Sequence, residues 1–135
     1  ASCLVGSEMC IRDRIRSRVA SSIGVKLILG HMGEGLPFQR WRFDSRFAVY
    51  SHGIKLARAP SEYLGSNIVI TTSGVCSPPT LVAAIAEMGR EAVMFSVDYP
   101  YESTALAAEF IEQTPMDDAT RDLICHGNAR RLFKL

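Results

Sequence analysis

Three short stretches of this chain carry residues that could do chemistry, and each follows an apolar run. His31, Gly33 and Glu34 come after KLILG, Ser73 and Gly74 after NIVITT, and Asp98 and Glu102 after AVMFSV. His31 and Asp98 lie 67 positions apart. A barrel of alternating strands and helices uses about 31 residues per unit, so two units separate them, and residues two strands apart on one rim both point to the axis. The spacing predicts that His31 and Asp98 converge on one metal ion or one substrate. Each also has a plainer reading. A histidine after a strand can be a hydrogen-bonded structural residue, and an aspartate at a strand end can cap the next helix.

Other polar residues carry weaker signals. Arg42, one turn into the helix after Pro37, is either a solvated face residue or an anion clamp, since its planar fork suits a carboxylate better than a lysine would. His52 reads as a loop residue and His126 as a cation at a helix C-terminus. Gly30, Gly33 and Gly35 do not spell GxGxxG, so a dinucleotide fingerprint is discarded.

The elements that must position these groups alternate. Lys26 to Gly30, Asn67 to Thr72 and Ala92 to Val97 read as strands that are apolar on both faces, the pattern of parallel strands covered by helices or closed into a barrel. Between the second and third, Ser77 can cap a helix. Pro78 and Pro79 suit its first turn, Leu81, Ile85 and Met88 form its stripe, and Gly89 supplies a left-handed stop. A right-handed crossover makes the flanking strands parallel. Ile15 to Ser22 reads as the end of a helix, and Pro37 to Val49 as a helix with Phe38, Trp41 and Phe47 inward. Ser103 to Glu112 is a further helix with Leu106, Ala107, Phe110 and Ile111 on one stripe. Pro115 breaks it, Asp117 or Asp118 caps the next, and Gly127 ends that one before a last turn, Asn128 to Phe133. The class is α/β.

Composition narrows the function. The chain has 135 residues, 47% hydrophobic and 21% charged, which is globular protein. Fifteen Lys and Arg against fourteen Asp and Glu leave a net charge of +1, so no electrostatic footprint argues for a nucleic acid or a membrane as partner. No apolar run approaches the ~20 residues of a spanning helix. Leu4 to Arg14, LVGSEMCIRDR, resembles a translated sequencing adapter and lacks the apolar core and cleavage site of a secretory signal. Residues 1–14 are therefore set aside as a non-native segment and 15–135 taken as part of one domain. That leaves Cys76 and Cys125, which read as ordinary small core residues in a reducing cytoplasm.

Four motifs resemble one family. GHMGEGLPFQRWRFD at Gly30 to Asp44, ITTSG at Ile70 to Gly74, MFSVDYPYE at Met94 to Glu102 and GNARRLFKL at Gly127 to Leu135 are similar to the C-terminal part of the amidohydrolase-related metal-dependent decarboxylases. The dihydroxybenzoate (γ-resorcylate) type is nearest in pattern, and the resemblance runs from about Val19 to Leu135. It implies strands six to eight, with their helices, of a (β/α)8 TIM barrel roughly twice this length or more. It also implies one divalent metal, zinc or manganese, of whose ligands only Asp98 is present here. His31 matches the catalytic histidine, Glu34 its acidic partner, and Arg42 a substrate-contacting arginine.

The implied reaction is non-oxidative decarboxylation of a small hydroxylated aromatic carboxylate. Asp98 gives the proton to the ring carbon, in a homo-oligomer that is often a tetramer. SVDYP and SGVCSPP depart mildly from the family pattern, the second on a rim loop that bears on ring substituents rather than on the reaction. A metal-dependent hydrolase of the same superfamily, acting for instance on lactones, is the alternative chemistry. A third expectation is an inactive fragment that neither binds metal tightly nor decarboxylates, because three strands of eight leave two open parallel edges.

Overall fold

The computed structural model describes residues 25–135; the segment 1–14 and the helix end at Ile15 to Ser22 lie outside the described residues. Strands β1 (Leu27–Leu29), β2 (Ile68–Thr71) and β3 (Val93–Met94) form one parallel sheet in chain order, with Leu27 opposite Ile68 and Ile70 opposite Val93. β2 has a neighbour on each side, and Ile68, Val69 and Ile70 are all buried. β1 pairs on one side only and is partly open, with Ile28 exposed.

β3 is much shorter than the run Ala92 to Val97 predicts. The Thr72 hydroxyl accepts from the Ser96 N–H at 3.0 Å and donates to the Ser96 carbonyl at 2.8 Å. Meanwhile the Phe95 N–H donates to the Ile124 carbonyl at 2.9 Å. A side chain thus takes over where the regular ladder stops and holds Ser96 beside Thr72 on the way to Asp98.

The helices are α1 (Arg40–Val49), α2 (Pro78–Met88), α3 (Thr104–Gln113), α4 (Asp118–Asp122) and α5 (Asn128–Phe133), the last two joined by a π turn over Leu123–Gly127. A 3-10 turn, Leu36–Gln39, leads into α1. The core gathers Ile70, Leu81, Val93 and Ile124 with Met32 from the first rim loop. No described helix is long and apolar enough to cross a membrane.

Several faces differ from the sequence reading. Phe38 and Trp41 were expected inward, yet both are exposed, Trp41 at 79%. Asp44 accepts from the Ser61 N–H at 2.9 Å and the Ser61 hydroxyl at 2.6 Å, which fixes the roll of α1. Phe43 then packs on the core, and Trp41, two residues earlier, lies about 200° around the axis. In α3 the stripe is Ala107, Phe110 and Ile111, while Leu106 is 49% exposed, one position off that stripe. In α2 Ala84 is buried and Ile85 only partly.

Two predicted caps also change. Gly89 stops α2 with φ 82° but an extended ψ of 143°, so it turns the chain into Arg90–Ala92 rather than forming a left-handed helical cap. Gly127 ends nothing: its φ is −62° and the helix runs through it. A Cβ there would lie 3.1 Å from Leu123 Cδ1, so this glycine serves close packing. His126 therefore sits exposed within a helix rather than at its end. Cys125 is exposed, and only Cys76 packs against the core.

Candidate active site

The loop after β1 is held in an unusual backbone conformation. His31, Met32, Gly33, Glu34 and Gly35 all have positive φ, from 49° to 79°. The left-handed region costs an L-residue about 1–2 kcal/mol, so three non-glycine residues there need support from their surroundings. Met32 supplies it by burying to 2% exposure. Gly33 supplies it by lying so close to β2 that a Cβ would fall 2.7 Å from Ile70 Cγ2. With its apolar middle anchored, the loop turns His31 and Glu34 outward to the rim.

Asp98 arrives from the other side. It ends the segment that leaves β3, has φ 81°, and its carbonyl accepts from the N–H groups of Tyr101 and Glu102 at 2.9 and 3.1 Å. The cap of α3 is Ser103, whose hydroxyl accepts from the Leu106 N–H at 3.3 Å, so the side chain of Asp98 is not spent on capping. Between the two lies Gly74, with φ 70° and its N–H directed to the Val97 carbonyl at 3.4 Å.

The structure brings three of the four sequence candidates together. His31 Nδ1 lies 2.7 Å from Glu34 Oε1, and His31 Nε2 lies 3.4 Å from Asp98 Oδ2. An ionised carboxylate can only accept, so Nδ1–H donates to Glu34 and Nε2 is left facing Asp98. The hydrogen bond to Glu34 raises the His31 pKa above its ordinary value; partial desolvation opposes this, and Asp98 adds to the rise. An imidazole so placed can pass a proton to and from the Asp98 oxygen. Arg42 is exposed in the first turn of α1 and forms no ion pair with Glu34 or Asp98. Burial raises the thiol pKa of both Cys76 and Cys125, so neither is poised as a nucleophile.

Among the described residues no three His, Cys, Asp or Glu side chains come together to hold a metal ion. Asp98 offers one hard oxygen donor, while both ring nitrogens of His31 face carboxylates. This donor set alone does not fit a divalent cation, which takes at least three protein ligands in most sites.

Comparison with known proteins identifies the family and the fold. The amidohydrolase family model matches residues 11–135. A γ-resorcylate decarboxylase from Polaromonas sp. is 43% identical over 82% of this chain and 35% of its own length. The crystal structure of 5-carboxyvanillate decarboxylase from Sphingomonas paucimobilis superposes with a TM-score of 0.77 at 41% identity, over 82% of this chain and 34% of that one. A dihydroxybenzoic acid decarboxylase from Polaromonas sp. JS666, solved with bound manganese and the inhibitor 2-nitroresorcinol, gives 0.74 at 43% identity, over 82% and 34%. The chain thus spans about a third of the length of the relatives it matches. Its three parallel strand and helix units are a segment of a (β/α)8 barrel. Matched along nearly its whole length, with its polar residues gathered at the strand C-termini where such barrels do their chemistry, the chain belongs to the amidohydrolase family.

Proposed function

We propose that this chain is part of a metal-dependent carboxy-lyase that removes carbon dioxide from a small hydroxylated aromatic carboxylate. The observation that carries the reading is the placement of His31 Nε2 3.4 Å from Asp98 Oδ2 on the rim. The relatives named above, decarboxylases of γ-resorcylate and 5-carboxyvanillate, supply the substrate class.

The steps assigned to these residues balance. Protonated Asp98 gives its proton to the ring carbon that bears the carboxylate. The bond from that carbon to the carboxylate breaks, its electron pair restores the aromatic ring, and carbon dioxide leaves. His31 then returns a proton from Nε2 to Asp98 Oδ2, while Glu34 keeps the imidazole oriented through Nδ1. The net change is one proton consumed for each carbon dioxide released. Arg42 is assigned to the substrate's anionic edge. Asp98 is the one ligand these residues contribute to a divalent metal, manganese or zinc, the remaining donors lying outside them. A cytoplasmic homotetramer completes the reading.

A version carrying the whole barrel tests it. Incubation with 2,6-dihydroxybenzoate or 5-carboxyvanillate is expected to release carbon dioxide in step with the decarboxylated arene. Lactone hydrolysis in the absence of carbon dioxide release would replace this reading with the hydrolase.

A further inference from the structure

We propose that Gly74 is a positioning residue: its bare α-carbon sets the distance between His31 and Asp98. The middle strand of the three thereby contributes to the site by leaving room rather than by adding a group. A Cβ at position 74 would lie 2.9 Å from His31 Cδ2, 3.1 Å from Asp98 Oδ2 and 3.5 Å from His31 Nε2. Carbon atoms in contact sit about 3.5–4.0 Å apart, so even one methyl group must move the ring or the carboxylate.

Moving either neighbour disturbs the site. His31 is tied through Nδ1 to Glu34 at 2.7 Å and stands on a backbone of φ 49°. Asp98 has φ 81° and anchors the turn to Tyr101 and Glu102. Gly74 itself is fixed on both sides. The Val75 N–H donates to the Thr72 carbonyl at 2.9 Å, and the buried Thr72 hydroxyl clasps Ser96. A side chain at 74 therefore has nowhere to go except between the two groups that share the proton.

A second glycine makes the inference testable. Gly53 has φ 77°, against 70° at Gly74, but a Cβ there meets nothing within 4 Å. Alanine at 53 carries the backbone strain alone; alanine at 74 carries the strain and the collision. Gly74→Ala is expected to lower the melting temperature more than Gly53→Ala does. Most of that excess should vanish in a His31→Ala, Asp98→Ala background, where both colliding side chains are cut back and the strain at 74 is unchanged. Equal shifts for the two alanines, or an excess that survives the loss of both side chains, would overturn the proposal. If Gly74→Ala does not fold, its combination with His31→Ala and Asp98→Ala must fold; failure of both overturns it too.

A kinetic arm rests on the decarboxylase reading. In the complete barrel kcat is expected to fall about 100-fold in Gly74→Ala, the usual scale for an ångström of misplacement, with KM little changed and Gly53→Ala near the parent. An unchanged kcat in Gly74→Ala would also sink the proposal. A parent barrel that releases no carbon dioxide defeats the decarboxylase reading instead, and the melting comparison still decides the role of Gly74.

Discussion

The two ends of the three-stranded sheet are built on opposite terms. At the N-terminal end of β3, Asn128 is 2% exposed and donates to the carbonyls of Arg90 and Val93, each at 2.7 Å. Its own oxygen accepts from Arg131 at 2.9 Å. Asp117 takes the Thr120 N–H at 2.9 Å and the Thr120 hydroxyl at 2.7 Å, and that hydroxyl also accepts from Arg90 at 3.1 Å. At the C-terminal rim, five successive residues hold positive φ, Gly74 and Asp98 do so too, and the polar pair stands part-exposed at 3.4 Å. The base satisfies its polar groups with short, ordinary bonds. The rim keeps strained backbone and a group able to lose or gain a proton, the division expected when one end of a barrel serves stability and the other chemistry.

Substitutions can break or sharpen that division. The largest effect falls on the rim: Asp98→Asn in the complete barrel is expected to lower turnover about 10²- to 10⁴-fold, with the melting temperature nearly unmoved. A melting temperature that falls as far as one would expect from a base substitution would erase the contrast. Next comes Asn128→Ala, which strands the buried carbonyl of Val93 and the part-buried one of Arg90 and should cost about 2 kcal/mol in urea denaturation, with the His31 to Asp98 contact intact. Ser103→Ala removes the α3 cap and should cost about 1 kcal/mol on the same measurement.

The smallest effect is a pH dependence at the base. The hydrogen bonds from Thr120 hold the Asp117 pKa below its usual value of 3.8. A carboxylate lowered on folding adds stability above its unfolded pKa and loses it as the pH falls through the folded one. Acid unfolding followed by circular dichroism should therefore show a component below pH 3.8 that Asp117→Asn abolishes. A loss of stability with rising pH at this residue would contradict the assignment.

Much of this was legible in the sequence, and the reasons are local. Doubly apolar runs located the three strands, and the polar residues just beyond them named His31, Glu34 and Asp98 before any contact was known. The inward faces of α1 and α3 were less legible. Apolar side chains at 41 and 106 obey helical spacing as well as those at 43 and 107, and the choice falls to tertiary bonds such as Asp44 to Ser61. The length of β3 was hidden because a threonine hydroxyl can stand in for a ladder carbonyl and N–H without altering the apolar pattern. Gly74 was visible only by its place after the second strand and within ITTSG, with no role attached, because a residue that acts by lacking a side chain leaves no chemical signal. Arg42 carried a chemical signal and no geometric one, and the structure leaves it outside the hydrogen-bonded cluster.

The π turn at Leu123–Gly127 gives the end of the chain a fixed angular phase. Each residue of a helix advances the azimuth by about 100°, and a π turn absorbs one extra residue without breaking the rod. Ile124, whose carbonyl receives the Phe95 N–H, and Asn128, whose amide holds Arg90 and Val93, both face the sheet across this turn. Winding the same residues as an ordinary α-helix would leave the extra residue unabsorbed and swing every later side chain by about 100°. Asn128 would turn away from β3 with the composition of the helix unchanged. Here the winding carries information that the identities of the residues do not.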